Sequence, residues 1–111
     1  MNWTDALAET SASLAKFRAG QPETAKGFSA LHHASMKAGA LDEKQKELIA
    51  LAIGISSRCA DCIGFHVRSA IKVGATRDEV SEAIGVAVMM GGGPAYMYGA
   101  KALEAYDQFA G

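Results

Sequence analysis

DEKQKELIALAIGISSRCADCIGFHVRSAIKVG, residues 42–74, decides the fold: it holds two helical patterns, a short break between them and the only two cysteines of the chain. Asp42 is a typical helix N-cap, and a glutamine three residues later completes the spacing of a capping box. The first helix of this stretch therefore runs from a charged first turn into an apolar body. Ser57 and Arg58 form the connector, and Gly74 is placed to end the second helix.

Two further helices are predicted before this stretch. The first is expected to follow Thr4 and to end near Gly20, because glycine suits a helix C-terminus. The second begins at Pro22, whose fixed φ suits a first helical turn, and Gly39 is expected to end it.

Two helices are also predicted after it. Thr76 and Glu79 have the spacing of a capping box, three glycines at 91–93 break the fifth helix, and Pro94 suits the start of the sixth. The fifth helix is apolar most of the way round, which is typical of a central helix or a subunit interface. No segment alternates apolar and polar residues as a β-strand would. We therefore predict an all-α single domain over residues 1–111, with about six helices and the CxxC pair at the start of the fourth helix.

Composition excludes several classes of function. The chain has 111 residues with 11 basic and 12 acidic side chains, so it has no excess positive charge to bind a nucleic-acid backbone. Charged residues interrupt every apolar run before a bilayer could be crossed, and the first residues lack the pattern of an export signal. We therefore expect a cytoplasmic protein without nucleic-acid or membrane partners.

Cys59 and Cys62 have the spacing of a redox-active or metal-binding pair. If a helix begins at or near Cys59, then Cys62 and His66 follow at intervals that place all three on one face. A helix N-terminus and a protonated imidazole both favour a thiolate over a thiol. Such a thiolate can attack an oxidised substrate, and the second cysteine can resolve the product as a disulfide.

Glu47 is expected to meet this face from the preceding helix. Because the connector is short, the two helices should fold back as an antiparallel hairpin. Counting outward from the bend places Gly54 level with Cys59, and Glu47 level with His66. A carboxylate beside an imidazole fixes its tautomer and makes it a better proton acceptor for a thiol. The sequence thus predicts a catalytic site of two thiols, one imidazole and one carboxylate.

The pattern Glu47, eleven intervening residues, then Cys59-x-x-Cys62-x-x-x-His66 resembles the core signature of the AhpD-like alkylhydroperoxidases within the carboxymuconolactone decarboxylase superfamily. The C-terminal stretch GGGPAYMYGAKALEAYDQF also resembles the end of short family members. The likeness covers most of residues 36–109, and it implies an AhpD-like helical bundle.

The resemblance also implies an activity, that of a thiol-dependent peroxidase with a redox dithiol. Cys62 would attack the peroxide O–O bond and Cys59 would resolve the product as a disulfide, whereas the helix dipole alone favours Cys59 as the attacking thiol. Glu47 and His66 would relay protons, and no bound cofactor or metal is needed. The implied partners are a hydroperoxide substrate, a lipoyl or thioredoxin-like dithiol protein as reductant, and further copies of the chain in a trimer or hexamer.

The chain departs from AhpD itself between the cysteines, where it has Ala60 and Asp61 and AhpD has a histidine. An anionic Asp61 beside the thiols disfavours the thiolate, which lowers the expected peroxidase efficiency. His32 and His33, outside the signature, are interpreted as part of a solvated helix face, with the lining of a pocket or an interface as the alternative.

The same residues are compatible with other functions. One is decarboxylation or lactone chemistry of the carboxymuconolactone type, although enzymes of that type generally do not depend on a CxxC pair. Another is a non-catalytic metal-binding or redox-sensing module, because the four candidate side chains are all competent zinc ligands. In a third interpretation the cysteines are two small buried apolar residues.

Overall fold

The computed structural model describes residues 1–111, and helices account for most of them. In chain order these are Trp3–Gly20 (α1), Pro22–Met36 (α2), Glu43–Ser56 (α3), Ala60–Lys72 (α4), Arg77–Gly91 (α5) and Gly93–Ala110 (α6). The predictions of an all-α fold and of a CxxC pair at the start of the fourth helix are confirmed. None of the six helices combines the length and the apolar character that crossing a bilayer requires.

Both predicted capping boxes are present. The Asp42 carboxylate accepts from the Gln45 N–H at 2.7 Å, and the Gln45 side chain accepts from the Asp42 N–H at 2.9 Å. Thr76 and Glu79 make the same reciprocal pair at the start of α5, at 3.1 and 2.9 Å. Each box satisfies two backbone donors that the first turn of a helix leaves free, and so fixes where α3 and α5 begin.

The first helix begins earlier than predicted, at Trp3 instead of after Thr4. The Asn2 side chain caps it by accepting a hydrogen bond from the Asp5 N–H at 3.0 Å. Asparagine is as good an N-cap as threonine. The earlier start also lets Trp3 reach the core, where it is almost fully buried.

The second helix ends at Met36, before the predicted stop at Gly39. Lys37 already has an extended backbone. The Lys46 ammonium group on α3 donates to the Ser35 and Lys37 carbonyls at 3.0 and 2.6 Å. A cation is favourable beside the carbonyls that a helix end leaves free, so α3 determines where α2 stops.

One apolar core lies among α3, α4, α5 and α6, and the first two turns of α1 close it. Trp3 and Leu7 lie against Gly64 of α4, where a Cβ atom would come within 2.8 Å of the leucine side chain. Residues 11–36, the rest of α1 and all of α2, form an arm in which no residue is buried. The arm is joined to the core through the adjoining residues of the chain, and it also contacts α3 and α4.

The fifth helix is only half covered within one chain. Val80 and Ala87 are buried in the core. Val86, Met89 and Met90 on the other side are exposed, at 57%, 72% and 75%. A central position with burial all round, one of the two predicted alternatives, is therefore wrong, and the subunit interface stays a prediction.

Candidate active site

The α3–α4 hairpin builds the site. Its connector is Ser57 to Cys59, and Arg58 adopts the left-handed conformation with φ 57°, which reverses the chain. The Cys59 N–H then donates to the Gly54 carbonyl at 3.0 Å, which closes the turn. The predicted antiparallel hairpin with a short connector is present.

Gly54 allows α3 and α4 to approach closely at the cysteines. A Cβ atom on Gly54 would lie 3.2 Å from the Cys62 Cβ and 3.6 Å from the Ile63 backbone nitrogen. The predicted register placed the glycine level with Cys59, and their backbone hydrogen bond agrees with it. The space that the missing side chain leaves is nevertheless next to Cys62.

The two cysteines lie at the N-terminus of α4 and are joined by a disulfide. Cys59 is the N-cap, with its sulfur accepting from the Cys62 N–H at 3.2 Å, and Cys62 is the third helical residue. Both residues are partly exposed, so they are not sealed in the core as buried apolar residues would be. Free N–H groups at this helix end stabilise a thiolate when the pair is reduced.

His66 lies one turn beyond Cys62 and is bonded to Glu47 of α3. The distance from His66 Nδ1 to Glu47 Oε2 is 2.7 Å, and the two side chains are 21% and 11% exposed. Glu47 is the only buried charged residue of the protein. Because a carboxylate only accepts, Nδ1 carries the proton and Nε2 of a neutral ring is a free acceptor. The predicted contact between the two side chains is present.

Two contacts of the site were not predicted from the sequence. Thr10 Oγ1 in α1 donates to Asp61 Oδ1 at 2.7 Å. The His32 ring in α2 stacks on the His66 ring, with centroids 6.2 Å apart and an interplanar angle of 28°. In each of these contacts the two residues lie more than 30 positions apart in the sequence. The only sequence feature that pointed to either contact was the adjacent pair of histidines on an amphipathic helix.

An open polar pocket of about 520 Å³ borders Glu47 on the side of α2. His32, His33 and Lys72 are among its lining residues, and neither cysteine is. Glu47 therefore borders an opening that neither cysteine lines. No three His, Cys, Asp or Glu side chains are grouped as a metal site would require.

The model of the carboxymuconolactone decarboxylase family matches residues 22–105 of the chain. That range contains all four predicted site residues. Two relatives are an uncharacterised protein of Cupriavidus necator, 38% identical over 78% of this chain and 77% of its own, and uncharacterised protein 4 of the cox locus of Paracoccus denitrificans, 42% identical over 76% of each.

Solved structures include two close folds. The apo form of a carboxymuconolactone decarboxylase family protein from Legionella pneumophila superposes with a TM-score of 0.95, at 48% identity over 98% of this chain and 97% of that one. A family protein from Thermotoga maritima, with a suggested involvement in antioxidative response, gives a TM-score of 0.84 at 28% identity over 94% and 89%.

Proposed function

The chain belongs to the carboxymuconolactone decarboxylase family, and from this membership and its dithiol site we propose that it is an AhpD-like, thiol-dependent peroxidase. One observation carries the proposal: the bonded pair Cys59–Cys62 at a helix N-terminus, one turn from an imidazole that a buried carboxylate orients. The involvement in antioxidative response that is suggested for the Thermotoga maritima protein supports it.

In the first step the Cys62 thiolate attacks one oxygen of the hydroperoxide. An S–O bond forms and the O–O bond breaks, so the sulfur is oxidised to a sulfenic acid and the peroxide is reduced to an alcohol. His66 takes the thiol proton on Nε2 and returns it to the leaving alkoxide. Glu47 holds Nδ1–H and stabilises the imidazolium that exists between the two transfers.

In the second step the Cys59 thiol attacks the sulfenic sulfur. The S–S bond forms, the S–O bond breaks, and the hydroxyl group leaves as water with the Cys59 proton. The product would be a disulfide between Cys59 and Cys62, and the same two residues are bonded in the structure. A reduced dithiol protein, lipoyl or thioredoxin-like, then reopens it by exchange and is itself oxidised to a disulfide.

The protein acts as a homo-oligomer, a trimer or hexamer, in the cytoplasm. The arm of residues 11–36 buries no side chain and α5 exposes three large apolar residues, so a single chain leaves much apolar surface uncovered. A dithiol that must be reduced after every turnover suits a compartment that supplies reductant.

The test is peroxide consumption by the reduced protein with a dithiol reductant. One equivalent of tert-butyl hydroperoxide is expected to remove both free thiols of the wild type, with mass spectrometry locating the bridge at residues 59 and 62. Cys62→Ser should consume no peroxide, and Cys59→Ser should stop at a sulfenic acid that dimedone traps. Equal activity of wild type and Cys62→Ser rules the proposal out. Activity on a carboxymuconolactone that survives alkylation of both thiols would favour the lactone chemistry instead.

A further inference from the structure

We propose that His32 in α2 is a positioning residue for His66, whose ring it holds in the orientation that keeps Nδ1 on Glu47 and Nε2 free. The proposal deepens the peroxidase function and rests on it for its kinetic consequence. Its structural part, that His32 sets the state of the His66 ring, stands on the geometry alone.

The His66 ring needs a second contact to have one orientation. Its hydrogen bond to Glu47 fixes one ring atom, and the ring can still tilt about that bond. The His32 ring lies against its face, with centroids 6.2 Å apart and planes inclined by only 28°. Offset stacking at this separation is a favourable arrangement of aromatic rings. Together the two contacts, one at an edge and one on a face, restrict both the tilt and the rotation of the ring.

His32 is itself held from two sides. His33 lies edge-on to it, with centroids 5.9 Å apart and planes at 83°. Lys46 donates to the Ser35 carbonyl, less than one turn farther along α2. Lys46 directly precedes Glu47, so one turn of α3 positions both the carboxylate and the helix that carries the stacked ring.

His32 has an unusual position for a histidine on a solvent-exposed helix face. The arm buries no residue, so core packing does not force α2 into this orientation. His32 also borders the polar pocket beside Glu47 and the apolar groove between α1 and α2. It therefore lies where the arm meets the site, and a swing of α2 would remove the stack without disturbing the core.

Three variants separate stacking from simple loss of a side chain. His32→Ala removes the ring, His32→Phe keeps a ring of similar shape without nitrogen atoms, and Glu23→Gln alters an exposed side chain at the start of the same helix. Two readouts are taken on the reduced protein: the rate of disulfide formation with tert-butyl hydroperoxide, and the ¹⁵N chemical shifts of the His66 ring, which report its tautomer.

We expect His32→Ala to slow disulfide formation about tenfold and to convert His66 from one tautomer to a mixture. His32→Phe should stay within about twofold of the wild type and keep the single tautomer, as should Glu23→Gln. Thermal unfolding of all three should match the wild type, because the replaced residues are exposed.

The proposal is overturned if the tautomer in His32→Ala equals that of the wild type, or if His32→Phe is as slow as His32→Ala. The second outcome would make the nitrogen atoms, not the stack, the important feature. If the wild type forms no disulfide with peroxide, the proposed peroxidase function is wrong. The ¹⁵N shifts of the His66 ring then still decide whether His32 positions His66.

Discussion

The Thr10 hydroxyl in α1 donates a 2.7 Å hydrogen bond to the carboxylate of Asp61, one of the two residues between the cysteines. Asp61 also lies in the first turn of α4, where the helix dipole favours an anion. The bond attaches α1, at the residue just before the arm, to the CxxC turn. The aspartate therefore has a structural role, and its charge still lies beside the two sulfurs.

Asp61→Asn is expected to make the reduced thiols more reactive. Asparagine retains an acceptor for Thr10 and removes the negative charge that disfavours a thiolate. At an exposed site this effect is modest, about a twofold to fivefold faster alkylation by iodoacetamide at neutral pH. Asp5→Asn, in the first turn of α1, is the control and should react as the wild type does. An unchanged alkylation rate for Asp61→Asn would show that the charge of Asp61 does not affect the reactivity of the thiols.

Glu47→Gln should slow the peroxide reaction about 10- to 100-fold, since the amide can still bond Nδ1 but cannot stabilise an imidazolium. The measurement is the rate of disulfide formation on reduced protein. Glu43→Gln, one turn earlier on α3 and exposed, is the matched control and should keep the wild-type rate. Equal rates for the two variants contradict the relay.

Gly54→Ala should destabilise the protein by about 1–3 kcal/mol, because the new methyl group would lie 3.2 Å from the Cys62 Cβ and push α3 away from α4. Urea unfolding measures the change. Gly85→Ala is the matched control: its Cβ would meet nothing within 4 Å, so the higher helix propensity of alanine should leave stability equal or higher by up to about 1 kcal/mol. A neutral Gly54→Ala would mean that the hairpin is loosely packed.

Acid stability is expected to depend on Glu79. Its pKa lies below the usual 4.5, chiefly because Lys44 donates a hydrogen bond to the carboxylate and next because the Thr76 N–H does. A carboxyl whose pKa is lower in the folded state stabilises the fold above the unfolded pKa, and this stability is lost as the pH falls through the folded value. The wild type should therefore lose more stability between pH 6 and pH 3 than Glu79→Gln.

Urea midpoints at the two pH values measure this loss, with Glu82→Gln, an exposed residue of the same helix, as the control. Because Lys44 and Glu79 are solvent-accessible, added salt should reduce the difference. A parallel loss in wild type and Glu79→Gln would assign the acid sensitivity to other carboxylates.

Local signals predicted most of the fold. The capping boxes at Asp42 and Thr76 were readable because each is completed within four residues. The Glu47–His66 contact was readable for a related reason: a short connector fixes the register of two antiparallel helices, so counting residues from the bend places one side chain opposite the other.

Contacts set by tertiary packing could not be predicted in this way. The end of α2 depends on Lys46 from another helix, and the stack of His32 on His66 depends on how the arm lies against α4. A periodic pattern gives the face of each helix but not the angle at which two distant helices meet. His32 is exposed, as the solvated-face interpretation predicted, but its contact with the His66 ring was not predicted.

The exposed apolar side of α5 gives a test of assembly. Met89 and Met90 are 72% and 75% exposed in one chain, and large apolar side chains clustered on a surface typically mark an interface. We expect the wild type to sediment as a trimer or hexamer and Met90→Glu to shift to smaller species, because a buried unpaired carboxylate is unfavourable. Glu43→Lys, an exposed residue of α3 and not of α5, should keep the wild-type assembly. A wild type that is monomeric at micromolar concentration would contradict the proposal, and the uncovered methionines would then need another partner.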